Sequence, residues 1–173
     1  MSDTKPFDPR MHAVSDAPAV KALGNLLSGT RFSMQAHPQY FEINPAYGNQ
    51  YGEKGIDVMI LRDGIPYAYA ELERKLNWKG EKYPYPTIHF LKRKAKYASD
   101  GSYAKKFFKG LPCHWVLFSN DFSHHLTMKV DDAVAQPLIK IDTRENTQNE
   151  SFHDVPIVLA NFDKLKRIKR TSE

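Results

Sequence analysis

The chain has a single cysteine, Cys113, among its 173 residues. One thiol excludes an internal disulfide framework and a Cys-rich zinc site. Its place beside Trp115 in an apolar run predicts a small buried hydrophobe. Long apolar runs are lacking too. No stretch approaches the roughly 18 residues that a membrane helix needs, so no membrane partner is expected. No cationic start leads into an apolar segment, so no secretory leader is expected either. With a free thiol, the default expectation is a reducing, cytoplasmic compartment. The nine glycines form neither a P-loop nor a dinucleotide fingerprint. There is no Gly-x-Ser-x-Gly elbow. His124 and His125 point to opposite faces of a strand, as do Cys113 and His114, which argues against zinc.

What is present supports a core. Apolar residues make up 41% of the chain, with ten Phe and nine Tyr. That length and composition suit one domain. The net charge is +5, and the excess is localised. From Lys75 to Lys109 ten Lys/Arg stand against two acids, Glu81 and Asp100. A second basic run, Lys164, Lys166, Arg167, Lys169 and Arg170, closes the chain. Such patches attract polyanions, because neutralised phosphates release counterions. Nucleic acid is therefore the expected partner.

The pattern along the chain divides it into a flexible arm (1–13), one domain (14–163) and a basic tail (164–173). Ser15 or Asp16 can cap a helix that carries Pro18 in its first turn and ends near Gly29. Residues 39–46 are expected to form a first strand. A Gly/Asn/Tyr-rich loop follows it. Residues 56–61 read as an apolar strand broken by Asp57. Asp63-Gly64 is a turn signal. In residues 67–76, Ala68, Ala70 and Leu72 face one way, and Glu71, Glu73 and Lys75 the other. Thr87 is expected to cap a helix running to Ser99, with His89, Arg93 and Lys96 on its polar side. Strands are expected at 115–119, 125–130 and, more weakly, 156–160. The fold class is then α/β, a central mixed sheet of four to five strands flanked by helices.

Two carboxylates and a lysine on adjacent strands suit phosphodiester chemistry. A hard ion such as Mg²⁺ takes a few carboxylates and keeps several waters. It polarises the phosphate and supplies hydroxide. A nearby lysine can orient the attacking water and neutralise developing charge. Asp57 at the start of one strand and Glu73-Arg74-Lys75 at the end of the next supply these parts. The acid-x-Lys triplet by itself occurs twice, the other being Asp3-Thr4-Lys5, about as often as chance allows. Position on paired strands separates them.

Strand register sharpens this expectation. A regular two-residue turn at Asp63-Gly64 would pair Asp57 with Ala70 and put Asp57 and Glu73 on opposite faces. A longer loop from Arg62 to Pro66, which Pro66 favours because it cannot donate a ladder hydrogen bond, would pair Asp57 with Glu71 and unite the acids. A β-bulge in either strand would do the same. The sequence predicts one or the other, with Glu71 as an added carboxylate of the site.

With its α-β-β-β-α-β order, Asp57, and Glu73-Arg74-Lys75, the chain resembles the PD-(D/E)XK nuclease superfamily over roughly residues 15–120. Residue 56 is Ile, where the family's leading Pro would stand. The resemblance implies a restriction-endonuclease-like core and Mg²⁺-dependent hydrolysis, with Mn²⁺ as a substitute. It also implies 5′-phosphate products. Asp57 and Glu73 would be metal ligands with Glu71 assisting, and Lys75 would position water. The backbone carbonyl of Arg74 would join the ligands. DNA is the more favoured substrate over RNA, and a homodimer is compatible with such an enzyme.

A basic aromatic segment follows the second strand. Lys79 and Lys82 can meet phosphates while Trp78 stacks on bases. His89, Arg93 and Lys96 would extend that surface. Two other functions stay open. One is a nuclease-like fold that binds nucleic acid without cutting it. The other is a protein-interaction module whose basic face meets an acidic partner.

Overall fold

The computed structural model describes residues 17–36, 56–80, 82–140 and 150–157. The expected arm, the strand at 39–46, the loop after it, residues 158–160 and the basic tail lie outside these residues. Helix α1 spans Ala17–Leu27. Pro18 sits in its first turn, where a missing N–H costs nothing. It buries Ala19, Leu23 and Leu27 at helical spacing. Gly29 follows at φ 74°, the left-handed step that ends many helices. Thr30 Oγ1 donates to Leu27 O at 2.6 Å and satisfies one terminal carbonyl.

A five-stranded mixed sheet carries the chain from here. Strands β1 (Phe32–Ala36), β2 (Val58–Arg62) and β3 (Ile65–Arg74) form an antiparallel meander. Strand β5 (Cys113–Phe118) lies parallel to β3, and β6 (His125–Lys129) runs antiparallel to β5. The spatial order is β1-β2-β3-β5-β6. Between β3 and β5 the chain crosses over through strand β4 (Thr87–Leu91), a 3₁₀ helix η1 (Lys92–Tyr97) and helix α2 (Ser102–Phe107). After β6 come helix α3 (Val130–Val134), β7 (Leu138–Lys140) and β8 (Ser151–Pro156). A second, antiparallel sheet has the order β4-β8-β7. The class is therefore α/β, as expected, with a second sheet that the sequence did not announce.

The two faces of the main sheet have separate cores. Val58, Ile60, Ala68, Ala70, Leu72, Val116 and Phe118 pack against α1. Trp115, Leu117, Leu126 and Met128 pack on the other side against Ile88 and Phe90 of β4, Val155 of β8, and Tyr97, Tyr103 and Phe108. Glu71 and Glu73 alternate with Ala70 and Leu72, so they face this second core.

One expected element is corrected. Residues 87–99 are not one helix: strand β4 and the 3₁₀ helix η1 share them. Ile88 and Phe90 are buried while Thr87, His89 and Leu91 between them are half-exposed, a period of two. β4 pairs with β8, more than fifty residues downstream in the sequence. That distant partner overrode the helical spacing of Ile88, Leu91, Ala95 and Ala98. The first described strand, Phe32–Ala36, was not expected from the sequence.

Candidate functional site

The β2–β3 hairpin decides which residues meet. Its turn is the short one: Asp63 and Gly64 have φ of 51° and 81°, the pair of positive values that a tight two-residue hairpin turn needs. Arg31 holds the turn through Asp63 Oδ2 at 2.6 Å. Regular pairing from that turn would separate the acids. It does not continue. Leu61 pairs with Pro66, but Ile60 pairs with Ala68, so Tyr67 is an extra residue. This bulge shifts the register to Val58 opposite Ala70. One step further, Asp57 stands opposite Glu71. Of the two expected routes, the bulge is the one taken and the longer loop is not. The Tyr67 ring meets Phe32 edge-on at 5.4 Å.

Each carboxylate has a defined neighbour. Leu72 N donates to Asp57 Oδ2 at 2.8 Å. Glu71 Oε1 lies 2.7 Å from Lys94 Nζ. Glu71 Oε2 is buried and has no hydrogen-bond partner. Glu73 Oε1 lies 2.7 Å from Lys75 Nζ, and Glu73 Oε2 accepts from Trp115 Nε1 at 3.2 Å. Asp57 and Glu71 are each 7% exposed, whereas the Glu73 side chain is 30% exposed. The cluster thus opens to solvent at Glu73 and Lys75. Lys75 follows β3 directly, and its N–H donates to Phe118 O at 2.9 Å, which fixes its backbone beside the end of β5.

The electrostatics follow from burial and charge. Burial pushes the Glu73 carboxyl up, but the Lys75 and Lys94 ammoniums outweigh it and hold it below its usual range. Burial works to lower the Lys94 ammonium. The carboxylates of Glu71 and Glu73, and beyond them Asp57, overcome this and raise it. The negative field reaches further. Tyr97 is pushed well up by burial and then by Glu71 and Asp57. Tyr83 is pushed up to about 12 by burial, Glu73 and Tyr85. Burial raises the Cys113 thiol well above its ordinary value, with Glu71 and Asp57 adding to it, the direction expected of a thiol in apolar surroundings.

The nucleic-acid candidates separate. Lys79 and Lys82 are exposed on the loop after β3. Trp78 is fully buried and offers no stacking face; its ring packs edge-on against Tyr83 at 5.6 Å. Arg93 is held by Glu150 at 2.8 Å. Lys96 lies over the Tyr97 and Tyr103 rings at 5.3 and 5.8 Å. His89 is on β4, 3.5 Å from Asp154. Burial lowers its imidazole, Asp154 opposes this, and Lys75 adds to it. These three residues do not share a helix face, because there is no such helix. Exposed lysines also occur at Lys92, Lys105, Lys106 and Lys109.

Lys94 and Trp115 were missed as site members. Lys94 lies in the run Lys92-Arg93-Lys94-Ala95-Lys96, where a helical pitch groups Arg93 and Lys96 with His89. The 3₁₀ helix has three residues per turn, so Lys94 shares a side with Tyr97, which is buried. A change of pitch therefore turns Lys94 inward.

The donor set is three carboxylates, a hard-oxygen set of the kind that suits Mg²⁺. Glu71 Oε2 is buried without a hydrogen-bond partner, an orphaned acceptor of the kind a cation would satisfy. Among the described residues no group of three or more His, Cys, Asp or Glu side chains is placed so that it could hold a metal ion. Among the same residues no helix is long and apolar enough to cross a membrane. No family model, curated protein or solved structure matches the chain.

Proposed function

We propose that this protein is a Mg²⁺-dependent nuclease acting on DNA, built on a restriction-endonuclease-like core. The observation that carries the reading is the Tyr67 bulge. It unites Asp57, Glu71 and Glu73 on one sheet face, with Lys75 Nζ 2.7 Å from Glu73, at the solvent-open end of the cluster. The topology supports it as well. A helix followed by an antiparallel meander and a crossover to a strand parallel to β3 is in keeping with that core, with β4 and η1 inserted in the crossover. Asp57, Glu71 and Glu73 would hold the cation, which polarises the phosphate and supplies hydroxide. Lys75 would orient the attacking water and offset charge developing on the phosphate. Lys79, Lys82 and Lys92 are exposed and offer a path for the phosphate backbone. The products would carry 5′-phosphates.

The test is cleavage of supercoiled plasmid and of single-stranded DNA, in Mg²⁺, in Mn²⁺ and in EDTA. Wild type is expected to cut in either metal and to stop in EDTA. Lys75→Ala is expected to lose activity by about 10²-fold, in the range for removing one charge-stabilising donor. Asp57→Ala should abolish cutting while remaining folded. Equal activity in wild type and Asp57→Ala sinks the proposal.

A second reading, nucleic-acid binding without cleavage, is favoured by one observation. Lys75 and Lys94 already neutralise two of the three carboxylates within the chain. Salt-sensitive DNA binding that ignores both EDTA and Glu73→Ala, in the absence of cutting, would support it.

A further inference from the structure

We propose that Lys94 is the resident counter-cation of the carboxylate cluster, that its ammonium competes with a divalent cation for Glu71, and that it thereby sets the affinity of the site for metal. The inference rests on the nuclease reading in taking Asp57, Glu71 and Glu73 as the metal-holding groups.

The argument begins with a buried pair. The Lys94 side chain is 16% exposed and that of Glu71 9%, with Nζ and Oε1 2.7 Å apart. Each charge is tolerable in that setting because the other is present. Lys94 differs in this from its neighbours. Arg93 turns to Glu150, Lys96 lies over aromatic rings, and Lys92 is exposed. The 3₁₀ pitch puts Lys94 on the same side as the buried Tyr97 and aims it at the cluster. The end of η1 is held closely. A Cβ on Gly101 would lie 2.4 Å from Lys96 O and 2.7 Å from Ala95 O, so the chain returns against the helix with no space to spare.

Glu71 is shared out unevenly. Oε1 belongs to Lys94 and Oε2 to no hydrogen-bond donor. A cation taking Oε2 would bring two positive charges within one carboxylate's width of the ammonium. Like charges at such separations repel strongly where little water screens them. Lys94 must therefore weaken metal binding or release Glu71 when metal arrives. Without metal it does useful work of the opposite kind, since three adjacent carboxylates would repel one another. Lys94 and Lys75 together leave the cluster with one net negative charge, so metal is still attracted.

Calorimetric titration of the full chain with Ca²⁺ and Mn²⁺, at fixed ionic strength and without DNA, tests this. Lys94→Gln keeps a hydrogen-bond donor and removes the charge. It is expected to bind either ion at least about tenfold more tightly than wild type. Lys94→Arg keeps the charge and is expected to stay within about threefold of wild type. Circular dichroism checks that each variant is folded. If Lys94→Gln needs metal to fold, the rise in melting temperature with added Ca²⁺ is compared instead, and it should be larger for Lys94→Gln than for wild type, because a ligand that binds the folded state more tightly stabilises it more. Equal affinity, or an equal rise in melting temperature, in wild type and Lys94→Gln overturns the role of Lys94 and leaves the nuclease reading standing. Absence of metal binding in wild type and in all variants overturns both.

Discussion

Trp78 separates a packing role from a recognition role most cleanly. By sequence it stands at the head of a basic aromatic loop and suits base stacking. In the fold it is fully buried, joined to the core that holds Ile88, Phe90 and Trp115. Its N–H donates to Lys75 O at 3.1 Å and its carbonyl accepts from Asn120 N at 2.8 Å, so the loop is tied to the end of β5 through its backbone. Trp78→Ala removes the ring and leaves a cavity, at a cost of about 3–5 kcal/mol. At about 2–4 °C per kcal/mol for a domain of this size, the melting temperature should fall by about 6–20 °C. Trp78→Phe should cost far less, within about 1.5 kcal/mol, because most of the volume stays. It also removes Nε1, a buried donor with no partner, whose desolvation penalty disappears with it. Guanidinium unfolding followed by Trp115 fluorescence measures both variants. Anisotropy with labelled single-stranded DNA at constant salt measures binding. The reasoning is refuted if Trp78→Ala costs less than about 1 kcal/mol while DNA affinity drops, since only an exposed stacking residue behaves that way.

Other perturbations have expected outcomes of their own. Gly101→Ala forces a Cβ against the Lys96 carbonyl, 2.4 Å away, and should destabilise the protein by about 1–3 kcal/mol through backbone displacement. A melting temperature unchanged from wild type would contradict that close approach. Asp121 is exposed and its carboxyl is lowered to about 2, first by the Ser123 hydroxyl, then by the Ser123 N–H and the Ser119 hydroxyl. Because the folded value lies below the ordinary 3.8, its contribution to stability is present above that pH and is lost as pH falls towards 2. Ser123→Ala should move the Asp121 carboxyl back towards its ordinary value in an NMR titration, and an unmoved resonance would reject these donors as the cause.

Several parts of the fold were legible because they depend on neighbours in sequence. Ala19, Leu23 and Leu27 mark α1 by their spacing alone, and Gly29 marks its end. The alternation of Ala68, Ala70 and Leu72 with Glu71 and Glu73 marks β3 and assigns its faces. Asp63-Gly64 marks the turn. The link from β3 to β5 was not legible in the same way. Thr87–Leu91 carries both a helical and an alternating pattern, and its pairing with β8 selected the second. The short α2, α3 and β7 have too few residues to show a period, and their apolar positions are chosen by the surfaces they cover.

For the candidate site the division is sharper. By itself the sequence determined that Glu71, Glu73 and Lys75 share one side of a strand, since side chains alternate on any strand whatever it pairs with. It also confined Asp57 to two arrangements, together with those acids or opposed to them. Tertiary structure alone decided between the two. A regular hairpin from Asp63-Gly64 and a bulged one differ only in whether Tyr67 joins the ladder, and that depends on its packing against Phe32 and on where Ala68 and Ala70 meet α1. The arrival of Lys94 at Glu71 was likewise beyond local reading. It follows from a 3₁₀ pitch that rotates one lysine of a basic run inward, and the buried partner that makes this favourable lies on another strand.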